Sequence, residues 1–136
     1  MDPVEQLKQK YYNQDNFPLR LGIKILDLKP GLAQVSLKVE ESMTNFHQIA
    51  HGGVLFTLAD TAFGLASNLR GQAVALQVST NFLKPATAGN ILTATARELY
   101  LTRKTGIYEV VIENEKNETL FLFRGTAYRK ANGSTG

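Results

Sequence analysis

The fold follows from one stretch of this 136-residue chain, residues 49–68, which reads IAHGGVLFTLADTAFGLASN. From Gly53 to Asn68 it is apolar almost all round, which predicts a long α-helix that is buried on most sides. Gly71 follows and is predicted to cap the helix C-terminus. Asp60 is the only acidic residue of the stretch. A carboxylate buried there without a partner would cost several kcal/mol, so it calls for a functional reason.

Strand-like segments flank this helix on both sides. Upstream, Val4–Asn13 predicts a short leading helix, and Leu19–Leu28 and Ala33–Val39 predict a hairpin turning at Lys29-Pro30-Gly31. Residues 41–50 have no periodicity and are predicted to be a loop. Four more strands are predicted downstream, the last three as a meander with short connections. They cover residues 73–82, 91–100, 106–113 and 119–128.

The order of elements is therefore helix, two strands, one long helix and four strands. This order predicts an α+β fold in which an antiparallel sheet of five or six strands wraps round one long central helix. We expect one domain over residues 1–130, followed by a disordered tail of small polar residues at 131–136. Such a sheet covers only one face of the helix, and residues 73–76 are apolar, so a dimer is expected.

Composition narrows the class of protein. The chain is 43% hydrophobic and 20% charged, which is ordinary for a globular protein. Its net charge of +3 comes from scattered basic residues, which argues against a nucleic-acid surface. With no cysteine, disulfides, thiolate metal sites and a cysteine nucleophile are excluded. No segment is long enough to span a membrane and no signal-peptide pattern opens the chain, so a cytoplasmic protein is expected.

The residues able to do chemistry cluster at the start of the long helix. Gly52 and Gly53 leave backbone N–H groups uncovered by any Cβ, at the helix end where the dipole favours negative charge. Asp60 in apolar surroundings should have a raised pKa, which suits a general base or a nucleophile. Gly53 and Asp60 lie roughly 10 Å apart along the helix, too far for one carbonyl to touch both. Two helices meeting across a dimer could supply one group each.

Other chemistries fit less well. His47, His51 and Asp60 lack the spacing of a three-ligand zinc site, so no metal is expected. Ser42, Ser67 and Ser79 are not in a nucleophile-elbow context. Each remaining feature, taken singly, is also compatible with a purely structural role.

Two motifs together resemble a known family. Asn45-x-His47-x-x-Ala50-His51-Gly52-Gly53, followed by Leu58-Ala59-Asp60-Thr61-Ala62-Phe63, resembles the acyl-CoA thioesterases of the hotdog fold, closest to the phenylacetic-acid-degradation (PaaI) type. Residues 81–85, Asn-Phe-Leu-Lys-Pro, resemble the end of that family's third strand. The resemblance covers residues 17–130 and implies a hotdog fold, with dimers or tetramers whose active sites lie between subunits.

The resemblance implies a role for each motif residue. Asp60 would be the nucleophile or general base, and Gly52 with Gly53 would donate N–H groups to the thioester oxygen from the other subunit. Asn45 would contact the thioester or the attacking water. His51 would position the loop or the acyl carbonyl, and His47 matches the motif as a substrate-binding residue.

The same resemblance implies how the substrate is held. Phe56, Phe63 and Phe82 would line a pocket for an aromatic or medium-chain acyl group. The phosphates of coenzyme A need cations, and the candidates are Lys84, Arg103 and Lys104. No cofactor is expected, because coenzyme A is part of the substrate. Some related thioesterases carry a hydroxyl at the position of Gly64, where Thr57 or Thr61 is the candidate replacement here.

Two alternatives stay open at this point. His51 and Asp60 could belong to a hotdog enoyl-CoA hydratase or dehydratase, which moves a proton next to the thioester. The chain could also be a non-catalytic acyl-CoA-binding module.

Overall fold

The computed structural model describes residues 1–130, and the predicted disordered tail at 131–136 lies outside the described residues. The helices are α1 (Pro3–Gln14), α2 (Asn16–Leu21) and α3 (Gly52–Asn68), and a short 3-10 turn covers Glu41–Met43. The strands are β1 (Lys24–Lys29), β2 (Leu32–Lys38), β3 (Ala73–Phe82), β4 (Ile91–Leu101), β5 (Thr105–Glu113) and β6 (Thr119–Arg129).

The six strands form one sheet in the order β1-β2-β4-β5-β6-β3, and every neighbouring pair is antiparallel. This confirms the predicted α+β fold and the β4–β5–β6 meander. Helix α3 packs on one face of the sheet through small, fully buried residues such as Ala59, Ala62 and Ala66, which allow a close approach. Side chains along β5 alternate between buried and half-buried, as expected for a strand with one face on the core.

Helix α2 was not predicted. The sequence Asn16-Phe17-Pro18 was expected to end helical structure and to precede a strand from Leu19, but it opens a second helix, and β1 begins only at Lys24. Pro18 lies in the first turn of α2, where its missing N–H costs no helical hydrogen bond. Gly22 ends α2 in the left-handed region, with φ of 87°. The prediction was wrong because a proline that cannot continue one helix can still lie in the first turn of the next.

The two N-terminal helices are anchored to the rest of the molecule. The buried Tyr11 hydroxyl of α1 donates a hydrogen bond of 2.7 Å to the carbonyl of Ile23, just before β1. Burial raises the pKa of Tyr11 far above its usual value. The Tyr12 hydroxyl accepts from the N–H of Ile25 at 2.8 Å. Helices α1 and α2 therefore have a defined position beside α3.

Helix α3 matches its predicted extent but differs at its C-terminus. Its C-cap is Leu69, which has helical dihedrals, whereas Gly71 lies two residues further on with φ of 113°. Gly71 was therefore wrongly predicted as the cap. The Asn68 side chain makes the turn instead, because its Oδ1 accepts from the N–H of Ala73 at 3.0 Å, at the start of β3.

One face of α3 is open in the single chain. Gly53, Phe56 and Asp60 are exposed, and Gly64 is half-buried, at the spacing of one helical face. Asp60 is therefore exposed in the single chain rather than buried by it. The other faces of α3 are buried, as predicted.

Strand β3 forms one edge of the sheet, since its only described neighbour is β6. Val74 and Leu76 on this strand are 48% and 60% exposed. An apolar edge strand of this kind is a typical surface for pairing with another chain. Among residues 1–130, no helix has the length and apolar character needed to cross a membrane.

Candidate active site

Hydrogen bonds within the loop before α3 hold its conformation. The Asn45 side chain accepts a hydrogen bond from the N–H of His47 at 2.9 Å, and the N–H of Asn45 donates to the carbonyl of Ile49 at 2.8 Å. Gln48 adopts a left-handed backbone conformation in this turn, with φ of 63°. Asn45 thus organises the loop through its Oδ1, and His47 is exposed and stacked on Phe46 with ring centroids 4.1 Å apart.

Two further backbone hydrogen bonds fix the position of the end of this loop, just before α3. The N–H of Ala50 donates to the carbonyl of Ala86 at 2.7 Å, and the N–H of His51 donates to the carbonyl of Met43 at 2.8 Å. The start of α3 is thereby tied to the β3–β4 connection and to the end of the 3-10 turn.

His51 is the N-cap of α3. Its Nδ1 accepts a hydrogen bond from the N–H of Gly53 at 3.0 Å, so Nδ1 carries no proton and the neutral ring holds its proton on Nε2. The N–H of Gly53 is therefore engaged within the chain. The N–H of Gly52 has no acceptor among residues 1–130. Of the two predicted donors, Gly52 is the one still able to bind a substrate oxygen.

Phe82 covers the same helix end. A Cβ built on Gly52 would lie 3.1 Å from Cε1 of Phe82, so only glycine fits here without displacing the ring. Phe82 is 60% exposed and packs edge-on against Phe121, with centroids 4.8 Å apart. The structure thus brings Gly52 and Phe82 together.

Asp60 lies two turns further along α3, with no hydrogen bond or ion pair to any described residue. Its carboxylate lines a cavity of about 500 Å³ between α3 and the α1–α2 segment. The side chain is exposed through the open side of this cavity, yet the walls remove part of its hydration. Burial, and then the negative charge of Asp15, raise the pKa of Asp60.

The opposite wall of the cavity was missed from the sequence. It includes Lys10, Asp15 and Phe17, from α1 and α2. Burial also raises the pKa of Asp15. No motif marks these residues, and α2, which carries Phe17, was itself not predicted. Thr57 and Thr61, which also line the cavity, donate their hydroxyl protons to the α3 carbonyls of Gly53 and Thr57 at 2.8 and 2.7 Å.

None of the three predicted acyl-pocket aromatics lines this cavity, and Phe82 lies instead beside Gly52 at the start of α3. Phe63 is 2% exposed and packs between Tyr108 and Phe123, with centroid distances of 5.7 and 5.4 Å. It is a core residue, because it points from α3 towards the sheet. Phe56 is half-exposed and packs on Phe123 at 5.6 Å. Phe63 therefore belongs to the core rather than to an acyl pocket, whereas the predicted substrate contact of Phe56 stays a prediction.

The predicted phosphate-binding cations lie at two ends of the sheet. Lys84 follows β3 and forms an ion pair with Glu118, which holds the pKa of Glu118 below its usual range. Arg103 and Lys104 are exposed in the β4–β5 turn, beside the other end of β6. A ten-residue strand is about 30 Å long, so one chain does not bring the two groups together.

The described residues bring together no cluster of three His, Cys, Asp or Glu side chains able to hold a metal ion. The site is built from backbone N–H groups, one carboxylate and a cavity.

Comparisons with known proteins add the family. The model of the thioesterase superfamily matches residues 47–121. The acyl-coenzyme A thioesterase PaaI of Escherichia coli K12 is 43% identical over 126 residues, which cover 92% of this chain and 90% of that protein. The solved structure of the E. coli PaaI protein from the phenylacetic acid degradation operon is 41% identical, covers 95% of this chain and 94% of its own, and superposes with a TM-score of 0.91.

A thioesterase protein from Streptococcus pneumoniae TIGR4, solved with coenzyme A, is also similar. It is 31% identical and superposes with a TM-score of 0.77 over 80% of this chain and 86% of that one.

Proposed function

Because this chain belongs to the thioesterase superfamily and is a thioester hydrolase of that family, we propose that its substrate is an acyl-CoA and that Asp60 drives the hydrolysis. The observation that carries the proposal concerns two groups of α3 that have no partner among residues 1–130: the carboxylate of Asp60, which lines a cavity, and the N–H of Gly52 at the start of the helix. The products are the free acid and the thiol of coenzyme A. The likeness to E. coli PaaI, and to a thioesterase solved with coenzyme A, supports this class of substrate.

Asp60 is suited to either of two routes. Its carboxylate can attack the thioester carbon, expel the thiolate and form an anhydride, which water then cleaves. It can instead take a proton from a water molecule as that water attacks. Partial loss of hydration raises the basicity of Asp60 and leaves its lone pairs free of competing donors, which favours both routes.

Gly52 supplies the complementary group. Its N–H points from the first turn of α3, where the helix dipole favours the negative charge that develops on the thioester oxygen. One such donor is worth about 10²–10³ in kcat in acyl-transfer enzymes. His51 holds this helix end in place through its bond to the N–H of Gly53.

A second chain would complete the proposed site. Gly52 and Asp60 are eight residues apart on α3, about 12 Å, so one carbonyl cannot contact both within one protomer. We therefore propose a homodimer with shared sites, in which Gly52 of one protomer faces Asp60 of the other. The apolar edge of β3 is the proposed pairing surface, and a tetramer would join two such dimers. Lys84 and the pair Arg103 and Lys104 would then meet one coenzyme A only from different protomers.

His51 bears on the hydratase alternative. A histidine that removes a proton from the substrate needs an unprotonated ring nitrogen facing it, but here Nδ1 is occupied by the N–H of Gly53 and Nε2 carries the proton. The arrangement therefore favours hydrolysis. Assaying hydration of crotonyl-CoA beside thiol release separates the two activities.

The decisive experiment measures thiol release from a panel of aromatic, short and medium-chain acyl-CoAs by wild type and by Asp60→Asn. We expect kcat to fall by about 10² or more, because the amide is neither a base nor a nucleophile. Asp27→Asn is the matched control, since Asp27 is an exposed residue of β1 paired with Lys29 at 3.9 Å. Wild-type turnover in a folded Asp60→Asn variant would overturn the role of Asp60. Tight acyl-CoA binding by wild type without thiol release would indicate a binding module.

A further inference from the structure

The cavity beside Asp60 has two walls of different origin. One wall is the open face of α3, with Asp60 and Gly64. The other is the α1–α2 segment, with Lys10, Asp15 and Phe17. A volume of about 500 Å³ lies within the range of small-molecule sites, about 300–1,000 Å³. Because Asp60 is one of its lining residues, any thioester attacked by Asp60 has this space beside it.

Gly64 gives this space its shape. It lies one turn beyond Asp60, about 6 Å along the helix axis. A Cβ built on Gly64 meets no atom within 4 Å, so the volume over this turn of α3 is empty. Leu65 and Phe17 offer apolar surface to the same cavity. An acyl group whose carbonyl is at Asp60 can therefore extend over Gly64 towards α2.

The charge of the cavity is unusual for a site that receives an apolar group. Two carboxylates, Asp15 and Asp60, line it with one ammonium group, Lys10. Neither carboxylate forms an ion pair with any residue in the described part of the chain. Asp15 is fixed at the α1–α2 junction, where its N–H donates to the carbonyl of Tyr11 at 3.0 Å and its carbonyl accepts from Leu19 at 3.3 Å.

We propose that this cavity is the acyl subsite and that Asp15, on its α1–α2 wall, makes the enzyme select uncharged acyl groups over acyl groups that end in a carboxylate. The inference rests on the proposed function, because it takes the thioester carbonyl to lie at Asp60. A terminal carboxylate that extends over Gly64 approaches the carboxylates of Asp15 and Asp60, which together outweigh the single ammonium group of Lys10, so it meets a net repulsion that salt can screen. An uncharged chain of equal length meets only the apolar surface.

Hexanoyl-CoA and adipoyl-CoA test the proposal, because their acyl groups have the same number of carbons and differ in the terminal carboxylate. We expect wild type to favour hexanoyl-CoA by about tenfold or more in kcat/KM at low salt. Asp15→Asn should reduce this preference about fivefold or more, mainly by faster turnover of adipoyl-CoA. Rising ionic strength should weaken the preference in wild type and change it little in the variant. Asp27→Asn, with the same change in net charge on a remote surface, should keep the wild-type ratio.

Gly64 tests the position of the acyl group separately. Gly64→Leu fills the empty volume, so the ratio of kcat/KM for hexanoyl-CoA to that for acetyl-CoA should fall about tenfold or more. Gly64→Ala, which favours helix and therefore folds, should lower the ratio by a smaller factor. Equal slowing of both substrates by Gly64→Leu, or a wild-type charge preference in Asp15→Asn, would overturn the proposal while thioester hydrolysis stands.

Binding separates the subsite from the chemistry. Unreactive ketone analogues, with a methylene group between the sulfur and the carbonyl of hexanoyl- and adipoyl-CoA, should bind with the same order of preference by calorimetry. Asp15→Asn should narrow the difference in their dissociation constants. If wild type hydrolyses no acyl-CoA but this pattern of binding holds, the proposed function fails and the acyl subsite is supported. If both analogues bind equally to wild type, the subsite proposal is wrong.

Discussion

Replacing His51 by alanine tests how the start of α3 is built. The variant loses one hydrogen bond, from the N–H of Gly53 to Nδ1 at 3.0 Å. The His51 side chain is exposed, so little apolar burial is lost with it. Loss of an N-cap side chain costs about 0.5–2 kcal/mol. Unfolding entropy near 2.1 cal/mol/K per residue gives about 0.3 kcal/mol/K for this chain, so a loss near 1 kcal/mol lowers Tm by about 3–4 °C.

The assay is thermal unfolding at fixed protomer concentration, because assembly makes Tm depend on concentration. His51→Asn is the matched variant, since asparagine is a strong N-cap and should keep Tm within about 1 °C of wild type. An unchanged Tm in His51→Ala would refute the capping argument. If His51→Asn restores both Tm and kcat, the histidine acts through the cap. If it restores Tm alone, the N–H at Nε2 acts on the substrate.

Three further predictions follow from other contacts. Asp60→Asn should be more stable than wild type at neutral pH, because the raised pKa of Asp60 means that its ionisation disfavours the fold. The Tm of the variant should exceed that of wild type by an amount that grows as pH rises from about 4 and then stays constant. Equal Tm values for the two proteins at every pH would contradict this prediction. Tyr11→Phe should lose about 1–3 kcal/mol in urea unfolding, because the carbonyl of Ile23 loses its donor, and an unchanged midpoint would contradict this. Leu76→Asp should make the protein monomeric in ultracentrifugation and inactive, whereas an active monomer would exclude shared sites.

The long helix and the strands were predictable because their signals are local. Residues 53–68 contain a single charged residue, and residues 106–113 are rich in β-branched and aromatic side chains between two short polar breaks, so composition locates both elements. The wrong predictions fall at residues whose sequence pattern is compatible with two different local structures. A proline at position 18 is compatible with a helix that ends and with one that begins, and Gly71 was close enough to the end of α3 to be taken for its cap.

The candidate site was predictable only in its motif residues. Gly52 and Asp60 follow from the sequence, but the engagement of the N–H of Gly53 by His51 depends on the rotamer of one side chain. Phe63 was assigned to substrate because an aromatic residue on a helix has no local mark that tells core from cavity. The wall with Asp15 was missed since it forms by packing between segments some 45 residues apart, which leaves no local periodicity.

The position of the α1–α2 wall has an evolutionary consequence. The superfamily model covers residues 47–121, which include Gly52 and Asp60, whereas Asp15 and Phe17 precede it. The proposed catalytic groups and the proposed selectivity wall therefore belong to separate stretches of chain. The two proposals together predict that mutations in the first 22 residues change acyl preference without altering Gly52 or Asp60. Exchanging this segment between relatives should transfer their substrate preference, which makes it the natural place for such enzymes to diverge.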